Sequence, residues 1–111
     1  MHSEEVPAVY ATRTTIYPDS GKFGEARELM RERVKAAQSA GDRIGLAELA
    51  VGTDGPQLIV TALFNDLAAF EARRKRNQAD ADFQKFIAKL ASLARKPGSV
   101  DLVEILLPMP S

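Results

Sequence analysis

The strongest constraint in this sequence is a switch of hydrophobic period that happens twice along the chain. Residues 8–17 (Ala-Val-Tyr-Ala-Thr-Arg-Thr-Thr-Ile-Tyr) are dense in β-branched and aromatic types, which suit a strand, and they stop at the turn-forming Pro18-Asp19-Ser20-Gly21. From Phe23 the spacing becomes three and four. Phe23, Ala26, Met30, Val34 and Ala37 take one face, while Glu25, Arg27, Glu28, Arg31, Glu32 and Lys35 take the other. The pattern predicts a helix over 20–40, with Asp19 or Ser20 accepting the first free backbone N–H groups and Gly41 supplying the left-handed stop. A short apolar strand over 44–51 follows, then a hairpin loop at Gly52-Thr53-Asp54-Gly55-Pro56 and the strongest strand of the chain, Gln57 to Phe64.

The second half repeats the switch. Asn65-Asp66 caps a helical stretch with Leu67 and Phe70 inward, interrupted by the basic run Arg73-Arg74-Lys75-Arg76. Asp80 and Asp82 mark a fresh helix start, and Phe83, Phe86, Ile87, Leu90 and Leu93 form the apolar stripe after it. Pro97-Gly98 is expected to end this helix, and Val100 to Leu107 to form a fourth strand before the Pro-rich tail. The order is thus β-α-β-β-α-β. Right-handed crossovers and short connections favour one arrangement: α+β, a ferredoxin-like antiparallel sheet with two helices on one face. One domain is expected over residues 1–111, with flexible tails at 1–7 and 108–111.

Alternation splits each strand into two sets. The set assigned to the helices contains Tyr10, Thr12, Thr14, Ile16, Ala47, Leu49, Val51, Leu58, Val60, Ala62, Phe64, Val103, Ile105 and Leu107. The opposite set contains Val9, Ala11, Arg13, Thr15, Tyr17, Leu46, Glu48, Ala50, Ile59, Thr61, Leu63, Leu102, Glu104 and Leu106, and no helix remains to cover it. Full burial of Val9, Leu46, Ile59, Leu63, Leu102 and Leu106 is worth on the order of 10 kcal/mol, comparable with the cost of pairing two subunits. A two-fold homodimer with facing sheets is therefore expected.

Composition removes several function classes. The chain has 15 Lys+Arg against 15 Asp+Glu and no Cys. A balanced charge gives no overall field for nucleic acid or an anionic membrane, and the lack of cysteine removes disulfides, thiolate metal sites and cysteine nucleophiles. The single His2 lies in a polar start, Met-His-Ser-Glu-Glu, which has no apolar core of a signal peptide. No apolar run approaches the roughly 18 residues that cross a bilayer, so a cytoplasmic location is expected.

Three stretches carry a resemblance: Ile-Tyr-Pro-Asp-Ser-Gly-Lys-Phe-Gly-Glu-Ala-Arg-Glu-Leu (16–29), Phe-Asn-Asp-Leu-Ala-Ala-Phe-Glu (64–71) and Ala-Asp-Ala-Asp-Phe-Gln-Lys-Phe (79–86). Together they make the chain similar to the NIPSNAP-type and antibiotic-biosynthesis-monooxygenase-type members of the dimeric α+β barrel superfamily. The resemblance covers nearly the whole chain and implies that fold more than any activity. Activities in the superfamily include cofactor-free oxygenation of polycyclic aromatics, haem degradation, chlorite dismutation, muconolactone isomerisation and ligand sensing. The haem and chlorite enzymes hold iron through a histidine. His2 sits too near the terminus for that role, so no metal or other cofactor is expected.

The candidate ligand contacts are Tyr10, Arg13, Glu48, Thr61, Phe64, Phe83 and Glu104. Arg13, Glu48, Thr61 and Glu104 are the polar members of the uncovered face. There Arg13 is expected to pair with Glu48 or Glu104, either as an anchor for an anionic or carbonyl-bearing ligand or as a structural ion pair. Tyr10, Thr12, Thr14, Phe64, Phe70, Phe83 and Phe86 either line a cavity between sheet and helices or are plain core. The 73–76 run reads as a solvated helix surface, and Gly52-Thr53-Asp54-Gly55 as a turn. Three functions remain: a dimeric barrel binding a small apolar or aromatic molecule; a cofactor-free monooxygenase or isomerase acting on an activated aromatic or lactone; and a non-catalytic dimeric interaction or regulatory domain. An enzyme needs a base, for which only Glu48, Glu104, Asp101 or a tyrosine is available.

Overall fold

A computed structural model describes residues 8–107 apart from 50, 51 and 53; the predicted tails and the predicted end of the second strand lie outside the described residues. The elements are β1 (Tyr10–Pro18), a 3₁₀ turn (Ser20–Lys22), α1 (Phe23–Ser39), β2 (Ile44–Glu48), β3 (Leu58–Phe64), α2 (Leu67–Ala79), α3 (Ala81–Ser92) and β4 (Ala94–Glu104). The sheet order is β2-β3-β1-β4, antiparallel throughout, which is the ferredoxin-like α+β topology.

Local chemistry ends the helices largely as the sequence predicts. Gly41 has φ +97°; its N–H bonds the Gln38 carbonyl at 3.0 Å and the Asp42 N–H bonds the Ala37 carbonyl at 3.0 Å, the paired bonds that close a helix on a left-handed residue. The Asp66 carboxylate accepts the Ala69 N–H at 2.7 Å. Asp80 Oδ1 accepts the N–H groups of Asp82 at 2.9 Å and Phe83 at 3.3 Å, and this cap breaks the expected second helix into two, so three helices cover the sheet. The basic run does not interrupt anything; it lies inside α2. Asp19 makes no side-chain cap, its backbone instead reaching the Leu93 carbonyl at 2.8 Å. Leu67, expected inward, is 47% exposed.

The core is one layer between sheet and helices. Ile16, Ala26, Met30, Leu58, Leu90 and Leu93 form its buried centre, with Phe23, Leu29, Leu46, Val60 and Phe86 packed against them. The phase of β1 and β3 follows expectation. That of β2 and β4 is reversed. Residues directly opposite in an antiparallel ladder share a face, and Leu46 lies opposite Val60, Glu48 opposite Leu58, Leu102 opposite Thr12 and Glu104 opposite Tyr10. Leu46, Glu48, Leu102 and Glu104 are therefore on the helix side, and Ala47 and Val103 on the other. Both strands carry apolar residues at either parity, so their composition does not set the register, and a slip of one residue flips every side chain.

Pro97-Gly98 does not end a helix. Both residues lie inside β4, beside a register irregularity between Thr15 and Tyr17. As an edge strand, β4 has neighbours on one side only, and a bulged edge accepts a proline that a central strand would reject. Just before it, the Arg95 guanidinium donates to the carbonyls of Pro18 and Pro56, each at 3.1 Å, and to that of Asp54, tying the β2–β3 loop to the end of β1. Lys96 Nζ lies 2.7 Å from Asp54 Oδ2, and this hydrogen bond and charge hold the Asp54 carboxyl below its ordinary pKa.

Candidate ligand cavity

Between the helix side of the sheet and the three helices lies a cavity of about 730 Å³, open to solvent along part of its wall and within the volume range of small-molecule sites. Thr12, Thr14, Val60, Ala62 and Phe64 form its floor. The roof comes from Met30 and Val34 of α1, Phe70 of α2, and Phe83, Phe86 and Leu90 of α3. Phe64 and Phe70 meet edge to face, with centroids 5.6 Å apart at 83°, and Phe83 and Phe86 are tilted at 42° with centroids 6.0 Å apart.

Charged groups rim this aromatic interior. Arg73 follows Phe70 by three residues and so shares its face of α2. Its guanidinium carbon is 5.4 Å from the Phe64 ring centroid, and the side chain is 15% exposed. Burial pulls the Arg73 pKa below the usual guanidinium value, against the opposing pull of Asp42 at 3.6 Å. Arg76 also reaches Asp42, at 3.0 Å. Arg33 stacks over Phe83 at 4.8 Å and over Phe86 at 5.7 Å.

The seven predicted contacts do not come together. Phe64 and Phe83 line the cavity. Tyr10 and Glu104 face each other beyond Phe64, at the end of the same side of the sheet, with Glu104 exposed. Glu48 lies in a separate groove of about 300 Å³ beside β2, paired with Arg27 at 3.0 Å. Arg13 and Thr61 are opposite one another on the uncovered side. The carboxylate beside Arg13 is that of Asp101, at 3.9 Å, rather than Glu48 or Glu104, because the reversed phase of β2 and β4 carries both glutamates to the helix side. Sequence reasoning missed Arg33, Asp42 and Arg73. The available signal was the spacing of Phe70, Arg73 and Asn77, at i, i+3 and i+7, which puts polar groups on the half-buried stripe of α2.

A four-stranded antiparallel sheet with an aromatic cavity under its helices places the molecule among ferredoxin-like α+β domains. The NIPSNAP family profile matches residues 15–100, and the chain belongs to the NIPSNAP family. Among solved structures it is similar to an uncharacterized NIPSNAP domain protein from Burkholderia xenovorans, at 16% identity over 92% of this chain and 99% of that one, with a TM-score of 0.75. A NIPSNAP family protein from Agrobacterium tumefaciens is 24% identical over 95% of this chain and 91% of that one, with a TM-score of 0.68. A putative antibiotic biosynthesis monooxygenase from Deinococcus radiodurans is 14% identical over 92% and 97%, with a TM-score of 0.70. At these identities the likeness is one of fold. No curated protein matches the chain at a significant level. Among the described residues, no helix is long and apolar enough to cross a membrane.

Proposed function

We propose that this NIPSNAP chain binds a small apolar or aromatic molecule between its sheet and its helices. The observation that carries the reading is the cavity walled by Phe64, Phe70, Phe83 and Phe86. The test uses N-phenyl-1-naphthylamine, a neutral aromatic whose emission rises on leaving water. Thr14 stands on the cavity floor and is only partly buried, so Thr14→Phe fills the space without crowding a closed core. Wild-type protein is expected to bind the probe, and the variant to bind it at least about tenfold more weakly. Equal binding by the two proteins overturns the reading.

The shared fold with antibiotic biosynthesis monooxygenases supports a cofactor-free oxygenase as a second reading. The carboxylates lining the cavity favour the first. Asp42 is engaged by Arg73 and Arg76, and Asp80 caps α3, so neither is free to act as the base such a reaction requires.

The same proposal includes a homodimer, with its contact shifted toward β4. The reversed strand phases leave Val9, Ile59, Leu63 and Val103 on the uncovered sheet side. The larger apolar exposure runs along the chain end: Val100 is 68% exposed, Leu102 44%, Val103 47%, Leu106 88% and Leu107 89%. Beyond Gly98 the outer edge of β4 has no proline or lysine to deter another strand. A second copy pairing there covers the backbone edge and the apolar side chains on both of its faces. Light scattering at micromolar concentration is expected to give twice the chain mass for wild type and the single-chain mass for the V100K/L102K double variant. A monomeric wild type refutes the dimer.

A further inference from the structure

We propose that the cavity selects an aromatic or apolar body bearing an anionic oxygen, such as a carboxylate, phenolate or enolate, and that Arg33 and Arg73 receive the anion. This rests on the cavity reading above and names the class of ligand. Arg73 is largely enclosed, and its carboxylate neighbour is shared: Arg73 and Arg76 both approach the same atom, Asp42 Oδ2, at 3.6 and 3.0 Å. A guanidinium carries five N–H donors, so one oxygen divided between two of them leaves donors over. Arg33 is paired as loosely, 4.0 Å from Asp80 Oδ2, while the other Asp80 oxygen caps α3.

Charge around the cavity points the same way. Arg33, Arg73, Arg74 and Arg76 line it against Asp42 and Asp80. Arg74 has Glu71 at 3.3 Å, which still leaves one cation in excess within this cluster. Both Arg33 and Arg76 act on Arg73 as neighbouring positive charges. The guanidinium groups already lie over aromatic rings, Arg73 5.4 Å from the Phe64 centroid and Arg33 4.8 Å from that of Phe83. A flat ligand among the rings therefore brings an attached oxyanion within reach of planar, multidentate donors, the geometry in which arginine outperforms lysine. A neutral hydrocarbon fills the same space and leaves those donors unanswered.

Titration of the full chain with 2-naphthoate and with its neutral analogue 2-naphthalenemethanol tests the assignment. The chain has no Trp, so naphthalene emission reports binding directly. Naphthoate is expected to bind at least about tenfold tighter than the alcohol, with the advantage shrinking as salt is raised. Arg33→Gln should lose about tenfold for naphthoate and leave the alcohol unchanged. Asp80 keeps its two cap bonds in that variant, so the fold is expected to hold; Arg73→Lys, which retains the charge but not the planar fork, is the second variant and should lose naphthoate affinity selectively. Equal affinity for the two probes, or variants that weaken both probes alike, overturns the anion assignment and leaves the cavity reading standing. Failure of both probes to bind overturns the two together.

Discussion

Replacing Leu58 with alanine is expected to lower the unfolding free energy by about 3 kcal/mol, a large share of the 5–15 kcal/mol typical of a domain. Leu58 is 1% exposed and begins β3, an inner strand, where it is opposite Ile16 on β1 and Glu48 on β2. It belongs to the cluster that joins α1 through Ala26 and Met30 to α3 through Leu90. Truncation removes the transfer term of three carbons and opens a void that neighbours on two strands and two helices cannot all close around. Urea unfolding followed by circular dichroism measures the effect: the midpoint should fall with the slope unchanged. A loss below about 1 kcal/mol means that Leu58 is not at the centre of the core.

The second large effect is expected at Gly98. An added methyl group there lies 2.8 Å from the Thr15 carbonyl oxygen and 3.4 Å from Ile16 Cδ1. The first of these is backbone of an inner strand, so relief requires β4 to move away from β1 at the place where their register already shifts. Gly98→Ala should therefore cost about 2 kcal/mol, as over-packing does in a closed core. Gly24 provides the contrast. It lies in the first turn of α1, and nothing stands within 4 Å of where its methyl group would go. Gly24→Ala should stabilise the protein by about 0.5 kcal/mol, because alanine gives up less backbone freedom in a helix. Thermal midpoints moving in opposite directions confirm both expectations; a neutral Gly98→Ala removes the close strand approach as the reason for glycine.

The placement of the candidate site was legible only in part. Phe64 and Phe83 could be assigned to the space between sheet and helices because Phe64 shares the parity of Leu58, Val60 and Ala62 and the stripe after Asp80 has helical spacing. Arg13, Glu48 and Glu104 could not be grouped correctly, since their grouping depends on which parity of β2 and β4 turns inward. Arg33 and Arg73 look like solvent-facing charges in a one-dimensional reading. Arg73 becomes largely enclosed only when α2 lies over Phe64 of β3, and Arg33 reaches Phe83 and Phe86 only when α1 and α3 fold together.

What the sequence determined by itself is what neighbouring residues decide among themselves. The order of strands and helices, the caps at Asp66 and Asp80 and the left-handed stop at Gly41 all follow from contacts within a few residues, whose energies do not wait for the rest of the chain. The tertiary structure alone decided the phase of β2 and β4, the tolerance of Pro97-Gly98 inside a strand, and the collection of arginines around an aromatic cavity. Each of these is settled by a pairing across tens of residues. A short stretch with apolar groups on both sides, or a charge beside a ring on another helix, has no local preference strong enough to choose.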